Sequence, residues 1–205
     1  LGDAPPRRWP ARPGGARALA GLRVLELTRI LAGPVAGRML AAYGAVVLLL
    51  NAPHLPNIDA LADTSRGKRS ACLDLRQDAA RATMAELLDG AQVLLHGYRP
   101  GALDRLGLAG PALAERHPGL VVATLSAYGP HGVCADPAAP ALAGPWDTRR
   151  GFDSLVQSAT GFNLDEAAAF GQAMPRALPM QALDHCAGHL LAYGIQVALR
   201  RQARE

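Results

Sequence analysis

The chain predicts an α/β fold, a parallel doubly wound sheet with helices on both faces. Three observations carry that expectation. Continuous apolar runs such as "VVLLL" (46–50) and "QVLLHG" (92–97) recur along the chain, as strands buried on both faces require. Helical stretches with N-terminal and C-terminal signals fall between those runs. Half of the 205 residues are apolar and 19% are charged, enough for one sizeable core.

The elements follow in order. "LRVLELT" (22–28) is the first strand. "PVAGRMLAAYG" (34–44) is a helix with Pro34 in its first turn and Gly44 as its stop. "VVLLL" closes the first βαβ unit. The pattern repeats with "ACLDL" (71–75) as a strand and "RQDAARATMAELLDG" (76–90) as an amphipathic helix. "QVLLHG" is the next strand, and "YRPGALDRLG" (98–107) reads as a turn. "GPALAERHP" (110–118) is a short helix before the buried strand "GLVVATLSAYG" (119–129). From about 130 to 150 the prolines and the lack of periodicity predict an extended loop. Helical segments at "GFDSLVQSATG" (151–161) and from about Leu183 to Arg201 complete the reading.

The first 18 residues, rich in Pro, Gly and Arg, read as an arm or linker. They open without a methionine, which suggests a piece of something longer. The net charge is +4, with arginine far ahead of lysine, but no basic run carries interleaved aromatics. Nucleic acid is therefore not an expected partner. No apolar run approaches the length of a membrane span, so no membrane is expected either. Cys72, Cys134 and Cys186 are odd in number and widely spaced, which fits a reducing cytoplasm better than a disulfide framework.

A doubly wound sheet directs attention to the loop after its first strand, here "LTRILAGPVAG". It contains neither GxGxxG nor GxxxxGK[ST], so dinucleotide and P-loop readings lose their support. The loop still offers backbone N–H groups and Arg29 to a ligand. The second candidate is "LDHCAGHLL", where Asp184 is the only acid between Glu166 and Glu205. His185 and His189 share a helix face, but no Glu follows the first His and the run is not a zincin signature. From spacing alone Asp184 is a helix cap or a nucleophile, and the choice stays open.

Six segments in register decide more. "LAGLRVLELTRILAGPVAGRMLAAYGA", "RGKRSACLDLR", "VLLHGYRPGALDRLGL", "LVVATLSAYG", "RRGFDSLVQSATG" and "ALDHCAGHLLAYGIQVAL" together resemble the class III (CaiB/BaiF-type) CoA-transferases. The resemblance implies a Rossmann-like large domain over 19–202, and it implies that the family's small domain is missing. It implies transfer of coenzyme A between carboxylic acids through an aspartyl-CoA intermediate. Acyl-CoA and an acceptor acid would be the substrates, with no permanently bound cofactor. The family's catalytic aspartate falls on Asp184. A carboxylate at a helix N-terminus is expected to be held ionised by the dipole and free N–H groups. The family's CoA contacts fall on the loop from Arg29 through Ile30 to Ala32, on Lys68 and Arg69, on Tyr98 and Arg99, and on Arg105. His185 and His189 match no catalytic role.

Departures narrow the reading. The formyl-CoA branch places His and Gln where this chain has Arg29 and Leu31, which argues against a formyl or oxalate specialist. The acyl-CoA racemase branch uses the His of a GHD motif, and here the triplet is Gly151–Phe152–Asp153. Racemisation needs two bases, so an acyl-CoA isomerase ranks below a transferase. The alternative from another class is a non-catalytic acyl-CoA-binding module or partner half. The resemblance implies a homodimer or a complementary transferase half, with the 151–157 and 189–199 helices near the contact.

Overall fold

Alternating apolar strands and one-sided helices leave few ways to bury both faces of a sheet, and the chain adopts the expected one. The computed structural model describes residues 17–129 and 145–204. Five strands run β1 (Arg23–Leu27), β2 (Val46–Asn51), β3 (Arg69–Cys72), β4 (Val93–His96) and β5 (Val121–Thr124). The helices are α1 (Ala32–Ala42), α2 (Leu61–Thr64), α3 (Asp78–Gly90), α4 (Gly110–Arg116), α5 (Asp153–Ala159), α6 (Phe162–Ala169) and α7 (Ala182–Gln202), with a 3-10 turn at Asp104–Leu106. The sheet order is β3-β2-β1-β4-β5 and every pairing is parallel.

Register sets the two cores. Val24 pairs with Val47 and Val93, while its neighbour Leu25 pairs with Leu48 and Leu94. Successive side chains point to opposite faces. Val24, Val47, Val93 and Leu95 therefore meet Ala36 and Leu40 of α1 and Ala192, Ile195 and Leu199 of α7. Leu25, Leu27 and Leu94 meet Met84 and Leu88 of α3 and Leu113 of α4 on the other face. Fully burying a Leu or Ile contributes about 1.5–3 kcal/mol, so Ile195 and Leu199 are major contributors to docking α7. At the α1–α7 crossing Gly188 is required, because a Cβ there would lie 2.5 Å from the Ala32 carbonyl oxygen and 2.8 Å from Val35 Cβ.

The structure adjusts several expectations. The third strand lies at 69–72 rather than 71–75. It is an edge strand with all four residues exposed, so no apolar pattern marks it, and Leu73 and Leu75 pack into the core just beyond its end. α2 and α6 were not expected, since α2 has four residues and α6 buries only Ala167. Of the anticipated arm only Arg17 and Ala18 are described, and of the 130–150 loop only 145–150, which forms a turn. Among the described residues no helix is long and apolar enough to cross a membrane.

Candidate active site

Strand order reverses between β1 and β4, since the chain steps outward from β1 to β2 and from β4 to β5 on the other side. Loops leaving the carboxyl ends of such strands diverge and open a crevice. Here that crevice is a cleft of about 470 Å³. Its walls are the loop after β1 with the first residue of α1 (27–32), the turn after β4 (97–100), residues 125–127 after β5, the 147–153 segment, and the first turn of α7.

Asp184 stands in that first turn, three residues after the N-cap Gln181. It is therefore not the helix cap that its spacing allowed. Its carboxyl lines the cleft and is half-buried. Burial raises its pKa above the ordinary aspartate value, the nearby Asp153 carboxylate adds to the rise, and His185 partly offsets it. This reverses the expectation of a carboxylate stabilised by free helix N–H groups. The Asp184 N–H is instead donated to Asp153 Oδ2 at 2.9 Å. His185 is half-buried and His189 exposed, on a helix whose buried stripe is Gly188, Ala192, Ile195 and Leu199.

The loop after β1 brings Arg29, Ile30 and Ala32 to the cleft. Ile30 has φ +72°, a left-handed conformation that is strained for a β-branched residue. Such strain persists only where the surroundings enforce it. Arg29 is tethered by a hydrogen bond from Nη2 to the Pro56 carbonyl oxygen, and its buried Nε has no partner. Tyr98 and Arg99 line the opposite wall. Burial pushes the Tyr98 hydroxyl pKa up, against the pull of Arg29, so Tyr98 stays a protonated donor.

The other expected contacts do not converge here. Arg69 is exposed on the edge strand and Arg105 is exposed in the 3-10 turn, and neither lines the cleft. Lys68 points inward, with its side chain only 1% exposed. Its Nζ donates to Glu26 Oε1 at 2.8 Å and to the Pro34 carbonyl oxygen at 2.9 Å. Thr28 Oγ1 also donates to Glu26 Oε1, at 2.7 Å. Gly37 makes room for this pair, since a Cβ there would lie 1.8 Å from Glu26 Oε2. Burial pushes the Glu26 pKa up and the Lys68 pKa down, and each partner opposes the other's shift. With its ammonium committed to Glu26, Lys68 has no free face for a phosphate, and the residue expected at the cradle belongs to the core.

The cleft also contains charges that the sequence does not single out, namely Asp147, Arg149, Arg150 and Asp153. Asp153 is 2% exposed and hydrogen-bonds Gln157 as well as the Asp184 N–H. The available signal is the "RRGFD" run, where the missing histidine draws attention away from the aspartate that is present.

A switch-point cleft with the half-buried Asp184 on one wall and arginines on the others suits a thioester ligand with a phosphorylated tail. The chain belongs to CoA-transferase family III, whose pattern matches residues 19–205. It is 34% identical to the probable fatty acyl-CoA transferase Rv3272 of Mycobacterium tuberculosis, over 97% of this chain and 49% of that protein. It is 32% identical to the formyl-CoA:oxalate CoA-transferase of Streptomyces coelicolor, over 90% of this chain and 44% of that one. The orthorhombic crystal structure of Rv3272 superposes with a TM-score of 0.76 over 92% of this chain and 50% of that chain. A CaiB/BaiF family protein from Brucella suis superposes with a TM-score of 0.74 at 27% identity, over 92% of this chain and 50% of that chain. The chain thus spans about half the length of the curated relatives it matches.

Proposed function

We propose that the chain carries the nucleophile-bearing domain of a CoA-transferase that moves coenzyme A between two carboxylic acids through Asp184. The observation that carries this reading is the half-buried Asp184 in the first turn of α7, on the wall of the switch-point cleft. A carboxylate deprived of stabilising donors is a stronger nucleophile toward a thioester carbonyl. Asp184 attacks that carbonyl, the C–S bond breaks, and CoA leaves as a thiolate beside an acyl–aspartyl anhydride. The thiolate then attacks the Asp184 carbonyl carbon, releases the donor as its carboxylate and leaves an aspartyl-CoA thioester. The acceptor carboxylate reverses both steps, so no proton or electron is consumed overall.

Arg29 and Arg99 are the proposed phosphate contacts, with the Ile30–Ala32 backbone and Tyr98 beside them, because all of these line the same cleft. Coenzyme A acts as a substrate in this reading, not as a resident group. Arg69 and Arg105, exposed outside the cleft, could reach only a part of the ligand that extends beyond it. A second copy or a complementary half is proposed to cover α6 and the outer face of α7, where Leu164, Leu190 and Tyr193 are 60%, 69% and 66% exposed. The proposed location is the cytoplasm.

The test is covalent trapping. Incubation with an acyl-CoA, with the complementary half supplied where one exists, should leave an adduct that hydroxylamine converts to a hydroxamate at residue 184, read by peptide mass spectrometry. Asp184→Asn should fold, bind CoA and form no adduct. An adduct at another residue, or an Asp184→Asn protein that still forms one, overturns the assignment.

A further inference from the structure

Asp153 does more in this structure than fill the core. It is the first residue of α5 and is buried, yet among the described residues neither carboxylate oxygen is paired with a cation. Oδ2 accepts the Asp184 N–H from the first turn of α7, and Oδ1 accepts from Gln157 Nε2. Gln157, also buried, accepts the Leu178 N–H through Oε1 at 3.0 Å. Asp153 and Gln157 therefore fasten both the chain leading to α7 and the turn bearing Asp184 onto α5. A buried carboxylate without a cationic partner is costly, and a protein that needed only a helix cap could use a neutral Ser or Asn.

We propose that Asp153 is a positioning residue for Asp184, rather than a mere cap. Its carboxylate takes the helix-end donor, and its negative charge stands behind the Asp184 carboxylate, which is left to face the cleft. The proposal rests on Asp184 being the reacting group. Its electrostatic half does not, because a negative charge close to Asp184 must oppose ionisation whatever Asp184 does.

The other charges around Asp184 are accounted for. On its own helix His185 opposes the rise in its pKa. Arg29, Arg99, Asp147, Arg149 and Arg150 line the cleft that it faces. The only titratable side chain on α1, the helix crossing α7, is Arg38, which is paired with Asp63. Asp153 is the acid that contacts the Asp184 backbone.

The experiment is a carbon-detected NMR titration of the aspartate carboxyls, with Asp184 assigned by its loss in Asp184→Asn. In wild type Asp184 should titrate above the ordinary aspartate range. In Asp153→Asn, which keeps one acceptor for the Asp184 N–H, the midpoint should fall by roughly half to one pH unit. Adduct formation should slow about tenfold or more through lost positioning. Asp153→Ser, which retains a hydroxyl acceptor without charge, serves as an independent check. A folded neutral variant with an unchanged Asp184 midpoint overturns the proposal. So does a wild-type midpoint at or below the ordinary aspartate range. If wild type forms no adduct at all while the midpoints shift as expected, the transfer reading fails and the electrostatic coupling stands.

Discussion

Two buried carboxylates of this molecule have opposite company. Glu26, beneath α1, meets an ammonium at 2.8 Å, and its charge is compensated inside the core. Asp153, beneath α7, meets a backbone N–H, an amide and the field of a second carboxylate. Both cost desolvation. The Glu26–Lys68 pair returns that cost as structure, by tying β1 to α1 and to the chain entering β3. The Asp153–Asp184 pair leaves part of its cost unreturned, as a carboxyl in the cleft that is harder to ionise. Carboxyls with perturbed ionisation cluster at functional sites.

The largest effect should come from breaking the compensated pair. Lys68→Met leaves the buried Glu26 without its cation, which should cost about 3–5 kcal/mol in urea unfolding. Adding Glu26→Gln, which can still accept from Thr28, should recover most of that loss. A single Lys68→Met variant of wild-type stability would show that the pair is not structural.

A smaller effect separates core from cradle. Arg99→Ala should weaken CoA binding by about 1.5–3 kcal/mol, the range for a hydrogen bond to a charged group. Lys68→Met, measured by calorimetry well below its melting temperature, should leave that affinity unchanged. The reverse pattern would return Lys68 to the phosphate site and remove Arg99 from it.

The smallest effect concerns the uncompensated pair and has a distinctive pH dependence. The folded-state pKa of Asp184 is raised, so its contribution favours the fold below the unfolded pKa and is lost as pH rises through the folded value. At neutral pH the ionised Asp184 therefore works against stability. Asp184→Asn should melt about 1–4 °C above wild type at pH 7. The gain should fade as pH drops through the raised folded-state pKa of Asp184, where the wild-type carboxyl takes up its proton. A variant that melts lower than wild type at neutral pH would make Asp184 a stabilising element after all.

What was legible in the sequence follows the same division. The strands 22–28, 46–50 and 92–97 could be read because both faces are buried and the apolar run is continuous. β3 could not be placed, because an exposed edge leaves no such run, and α6 could not because it buries a single alanine. The position of Asp184 was legible from its isolation and its register with the family. Its electrostatics were not, since the decisive carboxylate lies 31 residues earlier on another helix. Lys68 misled for a similar reason. It is the only lysine in the sequence, and nothing near it in the chain announces Glu26, 42 residues away.

The crossing at Gly188 has a consequence for how the site tolerates change. Asp184 lies one turn before Gly188 on α7, and Ala32, whose carbonyl oxygen Gly188 meets, ends the loop after β1. The two walls of the cleft are thus gauged against each other through one missing methyl group. The close approach of α7 to α1 at this point sets the separation between Asp184 and the loop after β1. The same economy makes the spacing brittle, because one added carbon at position 188 would press on the Ala32 carbonyl and push the two walls apart.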